Sequence, residues 1–372
     1  FFLRSNMYSV YQHWDPLQVC IVGKSYPPAY YQWIENNKVR KLFEKIASET
    51  EEDFQNIITK LKSFGVQVMR PKLPDDRLTK PPMYPRDDMV MIGTTFYESQ
   101  STNFKKLQYD DIKDPSWPDC YNWQDFNQLP NWIQKECNDV FNFEKLQKSN
   151  DQYTDIFANI KAQGNTIKTS ESWINGANTT RIGRDLYVGS HEQDDKQKFK
   201  VQIDKEFTKT RNHIVDAFGH TDATFCAVCP GLIISLLDIP TYKDTFPGWE
   251  VVYLPDQSWE AVKPFLDLKK KNGGKWWIPG FEYDNNVIHT VETWLQDWVG
   301  YVEETVFDVN MLIIDPKNVM VFNHNDKVFE ALDRYGITAH IVPFRHRYFW
   351  DGGIHCVTTD LHRDGTEKDY FK

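Results

Sequence analysis

The chain has 372 residues, of which 40% are hydrophobic and 15% aromatic, and this composition excludes an intrinsically disordered protein. Its formal net charge of −10 at pH 7 argues against nucleic acid and against an anionic membrane surface as partners. A small cationic or zwitterionic substrate is compatible with that charge.

The six cysteines lack the spacing of a disulfide framework or of a double zinc knuckle. The single CxxC motif, from Cys226 to Cys229, lies in an apolar run and is interpreted as a pair of buried strand cysteines. The first six residues contain no signal-peptide core, and no apolar stretch approaches the ~18–20 residues of a membrane span. We therefore expect a cytoplasmic protein with reduced thiols.

Short apolar runs recur along the chain, and most of them come in pairs around a turn, as in β-hairpins. Each run follows a polar or acidic residue. The predicted strands are residues 19–23, 89–93 with 96–97, 182 with 186–189, 223–228 with 232–236, and 311–314 with 319–322.

Helical patterns lie between these hairpins. Apolar residues at helical spacing predict an amphipathic helix or helix pair over residues 39–64, which Gly65 ends and a strand over 66–69 follows. Residues 328–335 repeat this design, with a strand over 337–342, and the regions 196–218 and 259–268 are weaker versions. A strand–strand–helix–strand unit repeated about five times predicts a closed, pseudo-symmetric α/β architecture.

Residues 99–169 depart from this pattern and are rich in aromatic and amide side chains. We interpret them as a folded insertion within a single domain that spans residues 1–372. An ordinary surface insertion and a lid over a functional site are both compatible with the sequence.

The stretch from Trp350 to Asp360 contains Gly352-Gly353 followed by His355 and Cys356. Two glycines allow a tight turn and a close approach of the backbone to another group. Cys356, at the start of a predicted strand, is either a small hydrophobe that fills the core or a nucleophile, and residue type alone favours the first interpretation.

Several other predicted hairpins begin with polar residues, and strands that point to a shared centre would bring these residues together. A thiol nucleophile needs a group that manages protons, usually histidine. A planar guanidinium needs carboxylates, whose geometry matches its N–H groups. Singly, each residue also has a structural interpretation as a turn cap or an ion-pair partner. The candidates are Asp87, Asn175, Asn178, His220 and Asp222.

The sequence resembles the amidinotransferase family that includes glycine amidinotransferase and inosamine-phosphate amidinotransferases, within the guanidino-group-modifying (pentein) superfamily. The matching segments occur in family order and cover most of the chain outside residues 99–169. They are Trp14-Asp15-Pro16-Leu17, Pro85-Arg86-Asp87, Arg181-Ile182-Gly183-Arg184-Asp185, His220-Thr221-Asp222-Ala223-Thr224-Phe225, Asn310-Met311-Leu312, and Gly352-Gly353-Ile354-His355-Cys356.

The resemblance implies a five-bladed ββαβ propeller with one central active site and no metal or organic cofactor. Cys356 matches the nucleophile and His220 the acid/base, and Asp87 and Asp222 match the carboxylates that hold a guanidinium. Arg86, beside Asp87, is assigned to substrate binding with them. The implied reaction moves the amidino group of L-arginine through an amidino-cysteine to an amine, releasing ornithine. The resemblance leaves the oligomeric state open, with a homodimer as one option.

The sequence departs from the family at positions that bear on the acceptor. The aspartate that orients the histidine aligns with Asn175, and a second carboxylate aligns with Asn178. The arginine that grips a substrate carboxylate aligns with Ile239, and an assisting serine pair aligns with Glu303 and Glu304. These differences predict an acceptor other than glycine, and Glu303 or Glu304 would favour a cationic amine.

Two other functions use the same residues. In a hydrolase of the same superfamily, water takes the second step, and Cys356, His220, Asp87 and Asp222 would have the same roles. A catalytically weakened binding or regulatory relative is the third interpretation, suggested by the two amides. Products formed from arginine with and without an amine distinguish these functions.

Overall fold

The computed structural model describes residues 7–74, 80–99, 152–172, 174–190, 195–217, 219–236, 241–254, 262–265, 275–295, 298–300, 302, 306–350 and 352–371. Within these residues, the strands form five sheets of three strands each. The strands are β1 Leu17–Val22, β2 Gln67–Met69, β3 Met89–Ile92, β4 Thr95–Glu98, β5 Thr166–Thr169, β6 Thr179–Ile182, β7 Asp185–Ser190, β8 Arg211–Asp216, β9 Phe225–Cys229, β10 Leu232–Ser235, β11 Glu250–Tyr253, β12 Leu312–Asp315, β13 Asn318–Val321, β14 Thr338–Ile341 and β15 Thr358–Arg363.

Every sheet repeats one connection pattern. A central strand pairs with one antiparallel neighbour and, after a helix, with one parallel neighbour. A short turn joins the antiparallel pair in four of the five sheets; in the remaining sheet the antiparallel pair is β1 with β15, from the two ends of the chain. Parallel neighbours need a crossover connection, and a helix supplies it in each unit. The crossover helices are α1 Asn37–Ser63, α2 Thr154–Ala162, α3 Lys196–Glu206, α4 Tyr242–Thr245 and α5 Asp326–Arg334. The repeated strand–strand–helix–strand unit predicted from the sequence is therefore confirmed in the described residues.

The first unit is assembled from both ends of the chain. Strand β15 pairs antiparallel with β1, and β1 pairs parallel with β2. The register places Thr358, two residues after Cys356, opposite Val22. The other units follow in order: β3–β5 form the second, β6–β8 the third, β9–β11 the fourth and β12–β14 the fifth.

Helix α1 is one continuous helix, whereas the sequence was also compatible with a helix pair. The side chain of Asn36 caps it by accepting hydrogen bonds from the backbone of Lys38 and Val39. Gly65, with φ of 80°, ends it in the left-handed conformation that glycine adopts most readily. The buried face packs in the largest hydrophobic core, which also contains Cys356.

The remaining helical segments are short. Three are 3-10 turns, four are α-helical or π-helical, and among the described helices none is both long enough and apolar enough to cross a membrane. They are Pro28–Trp33, Pro85–Asp88, Thr221–Ala223, Lys263–Phe265, Asn285–Thr290, Val291–Leu295 and Val306–Val309.

The described part of the predicted insertion belongs to the second unit. Of residues 99–169, the segment from 152 onward supplies helix α2 and strand β5, which pairs with β4. Residues 100–151 lie outside the described residues, and for them the insertion stays a prediction.

Asp360 in β15 is the centre of a buried charge cluster. Its carboxylate accepts hydrogen bonds from Arg86 at 3.1 Å, from Arg181 at 2.9 Å and from Arg363 at 2.7 Å. Burial alone would raise the pKa of Asp360, but the three guanidinium groups hold it well below its usual range. Burial also lowers the pKa of Arg181 to about 10. The cluster joins the first unit to the starts of the second and third.

We predict that Asp360→Asn lowers the free energy of unfolding by about 3–5 kcal/mol, because it leaves three arginines buried without their shared carboxylate. Urea unfolding at neutral pH measures this. Asp155→Asn is the control, since Asp155 pairs with Lys72 on the surface, with side chains 70% and 59% exposed. Equal losses in the two variants would contradict the prediction.

Candidate active site

The residues that begin the five units are linked to one another by hydrogen bonds. Between the second and third units, the backbone N–H of Gly176 donates to the carbonyl of Arg86 at 2.8 Å. Between the third and fourth, Ala177 accepts from the backbone N–H of Asp222 and from the hydroxyl of Thr221, both at 3.1 Å. A side chain at position 176 would clash with Arg86, so the first of these links requires glycine.

Asn310 and Arg86 make the remaining links. Asn310, at the start of the fifth unit, donates through Nδ2 to the carbonyl of Asp222 at 3.1 Å. Its Oδ1 accepts from the backbone N–H groups of His355 at 2.8 Å and Cys356 at 3.2 Å. Nε of Arg86 donates to the carbonyls of His355 and Thr358, each at 2.7 Å. The five starting segments therefore form a closed ring of hydrogen bonds, and Cys356 is part of it.

The two glycines of the Cys356 loop allow close contacts within the protein. Gly352 has φ of 77°, and a Cβ there would lie 2.6 Å from the Cβ of Cys356. A Cβ on Gly353 would lie 2.5 Å from Oδ1 of Asn310. Both distances are too short for a real side chain, so glycine is required for the loop to fold over the cysteine and for Asn310 to reach it.

Asp222 contacts both the thiol and a histidine. Its Oδ2 lies 3.5 Å from Sγ of Cys356 and 2.8 Å from Nδ1 of His355. Oδ1 is buried and has no hydrogen-bond partner among the described residues. A carboxylate oxygen beside a thiol is thus available for another donor.

The contact between His355 and Asp222 is a hydrogen bond of a neutral ring. Burial lowers the pKa of His355 well below its usual range, and the charges of Arg86 and of nearby basic groups lower it further. Because the imidazole is uncharged, its Nδ1–H donates to the carboxylate without forming an ion pair. The ring also packs against buried His13, with centroids 5.7 Å apart.

The carboxyl of Asp222 holds its proton more tightly than an ordinary aspartate. Burial raises its pKa to about 6, the charge of His220 opposes this rise, and the charge of Asp87 adds to it. Asp87 also adds to the rise that burial causes at Asp88, whose pKa is about 7. Asp87 and His220 therefore act electrostatically on Asp222, as side chains of one site would.

The predicted acid/base, His220, is exposed at the surface and immediately precedes the turn Thr221–Ala223. Its position next to Asp222 is set by that turn, whose Thr224 N–H bonds the carbonyl of Thr221. Gly219, with φ of 92°, brings the chain into the turn.

The side-chain oxygens of Asn175 and Asn178 accept hydrogen bonds from backbone N–H groups within residues 175–178. Oδ1 of Asn175 accepts from the backbone N–H groups of Ala177 at 2.9 Å and Asn178 at 2.8 Å. Oδ1 of Asn178 accepts from the backbone N–H of Asn175 at 2.9 Å. The two amides thus shape the turn that carries Gly176 and Ala177 into the ring.

The structure gives Arg86 a supporting position. Its side chain is fully buried, and its recorded hydrogen bonds run to Asp360 and to carbonyls of the Cys356 loop. Its part in substrate binding stays a prediction. Ile239, Glu303 and Glu304 lie outside the described residues. No group of three or more histidine, cysteine or acidic side chains suited to a metal occurs in the described part of the chain.

The sequence did not single out Asn310 or His355 as site residues, although both stand in matched segments. A signal was present for each: Asn310 directly precedes a predicted strand, as Asp222 does, and His355 adjoins the cysteine. Cys226 and Cys229, by contrast, lie in β9, and burial raises the pKa values of their thiols to about 12 and about 11.

The fold and the site define an α/β protein with a thiol and a carboxylate where five joined units begin. No protein-family model matches the chain. It is 23% identical to the mitochondrial glycine amidinotransferase of Xenopus tropicalis over 411 residues, which cover 97% of this chain and 84% of that protein. It is 22% identical to inosamine-phosphate amidinotransferase 1 of Streptomyces griseus over 401 residues, covering 98% and 100%.

The fold is also similar to that of a solved structure. An amidinotransferase of the saxitoxin biosynthetic pathway of Microseira wollei superposes with a TM-score of 0.61 at 16% identity, covering 98% of this chain and 99% of that one. These comparisons confirm the resemblance predicted from the sequence: the chain is similar to amidinotransferases over nearly its whole length and has their mixed α/β fold.

The raised pKa of Asp222 predicts how the free energy of unfolding depends on pH. A carboxyl whose pKa rises from 3.8 to about 6 on folding stabilises the folded state fully below pH 3.8, and this contribution is lost as the pH rises through 6. Asp222→Asn should therefore raise the free energy of unfolding at pH 8 by up to about 3 kcal/mol, with the gain shrinking towards pH 4.

Urea unfolding of the variant and the wild type at pH 4, 6 and 8 measures this difference. The control is Asp333→Asn, because Asp333 is exposed on α5 and should leave the pH dependence unchanged. Parallel pH profiles for wild type and Asp222→Asn would contradict the assignment.

Proposed function

We propose that the protein is an amidinotransferase that moves the amidino group of L-arginine through a covalent adduct on Cys356 to an amine. One observation carries this proposal: Asp222 lies 3.5 Å from the Cys356 sulfur and has a second oxygen without a hydrogen-bond partner among the described residues. A guanidinium that donates an N–H group to that oxygen would bring its central carbon close to the sulfur, because such charge-assisted hydrogen bonds are only about 2.7–2.9 Å long. Asp87 would hold the other side of the group.

The first half of the reaction forms a carbon–sulfur bond. The Cys356 thiolate adds to the guanidinium carbon of arginine, and the bond from that carbon to Nε then breaks. His220 donates its proton to the departing nitrogen, so that ornithine leaves as an amine. Asp87 and Asp222 stabilise the positive charge that the amidino group keeps throughout.

The second half reverses these steps with a different amine. The acceptor nitrogen adds to the amidino carbon, His220 removes a proton from it, and the carbon–sulfur bond breaks to restore the thiolate. Asn175, in place of the family's aspartate, accepts or donates hydrogen bonds without adding charge. It would therefore stabilise a protonated His220 less than a carboxylate does.

We also propose that the five units are the blades of a closed, pseudo-symmetric propeller with the site at its centre. The hydrogen-bonded ring of starting segments and the pairing of the last strand with the first support this arrangement. Residues 1–372 would form one catalytic domain with an insertion within 99–169. The proposed setting is cytoplasmic, and the oligomeric state stays open, with a homodimer as one option.

The proposed acceptor is an amine that lacks a carboxylate at the position where glycine carries one. This rests on Ile239, Glu303 and Glu304, which align with an arginine and two serines of the family. An isoleucine cannot pair with a carboxylate, and a glutamate would repel it while attracting an ammonium group.

Arginine alone should leave one amidino group on Cys356, detectable by mass spectrometry of the cysteine-containing peptide. Ornithine should appear in an amount equal to the enzyme and continue only when an amine is added. Cys356→Ser should form no adduct, whereas Cys229→Ser should form it normally, since Cys229 is a buried strand cysteine.

The same experiment separates the three functions. Sustained citrulline production without an amine would identify a hydrolase instead. Arginine binding with neither adduct nor product would identify a binding protein, and either result would overturn the proposal.

Among acceptors offered with arginine, simple alkylamines and diamines should give a higher kcat/KM than glycine. The physical reason is the absence of a cationic partner for the glycine carboxylate. Ile239→Arg should improve glycine at least about tenfold, which corresponds to about 1.4 kcal/mol of added pairing. If glycine is the best acceptor of the wild type, the proposed acceptor class is wrong.

A further inference from the structure

The amide of Asn310 is fully engaged in hydrogen bonds at the Cys356 loop. The residue is 1% exposed and directly precedes the fifth unit. Oδ1 accepts from the backbone N–H groups of His355 and Cys356, at 2.8 and 3.2 Å. Nδ2 donates to the carbonyl of Asp222 at 3.1 Å and to Sγ of Cys356 at 3.0 Å. All four bonding positions of the amide are therefore used.

These contacts fix the orientation of the amide. If its oxygen and nitrogen exchanged places, the NH2 group would face two backbone N–H groups, and the oxygen would face the carbonyl of Asp222. Both arrangements are repulsive, so an N–H group of Asn310 points at the sulfur.

We propose that Asn310 is a positioning residue that holds Cys356 against Asp222 and stabilises its thiolate form. The proposal rests on the proposed role of Cys356 as nucleophile. A hydrogen bond to an ionised acceptor is stronger than one to a neutral acceptor, so a donor at the sulfur favours the thiolate over the thiol.

The carboxylate beside the sulfur disfavours the thiolate, and a hydrogen-bond donor at the sulfur offsets this effect. Asp222, ionised above pH 6, lies 3.5 Å from the sulfur and opposes a second negative charge there. His355 directs Nδ1 to Asp222, and burial lowers its pKa well below the usual range. Arg86 bonds the loop carbonyls, and the charges of Asp87 and His220 act on Asp222. A substitution at Asn310 changes none of these charged groups.

The test is Asn310→Asp in the full chain, which keeps the shape and the acceptor but removes the donor. The rate of Cys356 alkylation by iodoacetamide is measured from pH 5 to 10 by mass spectrometry of the Cys356 peptide. We expect the midpoint of this profile to rise by about one to two pH units relative to wild type. Asn310→Ala removes the donor to the sulfur without adding charge, so the midpoint should rise in this variant too. A rise confined to Asn310→Asp would be an effect of the added carboxylate and would overturn the role of the donor.

The matched control is Asn165→Asp. Asn165 also uses its amide to join backbone segments, accepting from the N–H of Tyr8 at 3.0 Å and donating to the carbonyls of Tyr8 and Thr94 at 2.8 and 2.9 Å. It should lose stability without shifting the alkylation profile. An unchanged midpoint in a folded Asn310 variant, or an equal shift in the control, would overturn the proposal.

The alkylation measurement does not use arginine, so it fails independently of the proposed function. A shifted midpoint without any amidino adduct would refute amidino transfer and support the role of Asn310 at the thiol.

Discussion

The hydrogen bonds that join the starts of the five units are the constraint on which the site depends. Each sheet has only three strands, so no common ladder fixes one unit relative to the next. The ring does this instead, through backbone groups of Gly176, Ala177 and Asp222 and through the side chains of Asn310 and Arg86. Buried backbone groups must find partners, and closing the ring satisfies them while it sets the distance between thiol and carboxylate.

The ring also separates two opposite electrostatic environments. On one side of the Cys356 loop, Asp222 has its pKa raised by burial to about 6. On the other side, Arg86 reaches from the loop carbonyls to Asp360, whose cluster contains more cations than anions. His355 stays neutral between them. The Cys356 loop therefore lies between an acidic side chain and a basic cluster that are both held in place by hydrogen bonds. Charged groups that are already in position favour the development of charge during a reaction, because they need not reorganise.

The sequence predicted the hairpin strands and the helices of the first and fifth units, because apolar runs and helical periodicity are local properties. It did not predict the crossover helix α4 of the fourth unit, since four residues are too few to show a helical period. It also picked Cys356 and Asp222, which the structure places 3.5 Å apart. It could not show that Arg86 is buried against Asp360, because that contact depends on a strand at the other end of the chain. Asn310 was missed for the same reason, since its side chain bonds Asp222, 88 residues away, and His355 and Cys356 in the Cys356 loop. Hydrogen bonds that exist only after closure leave no local pattern.

The amides of Asn175 and Asn178 shape the turn that enters the ring without adding charge to it. Asn175 and Asn178 use their oxygens to accept backbone N–H groups in the turn that enters the ring, a task that a carboxylate or an amide can perform equally well. The amide adds no negative charge near Asp222, and its NH2 group is a donor that a carboxylate lacks. Because Asp87 already raises the pKa of Asp222, a carboxylate at either position would raise it further. With amides at both positions, the turn keeps the hydrogen bonds that shape it, and the carboxyl of Asp222, with a pKa of about 6, is ionised at neutral pH.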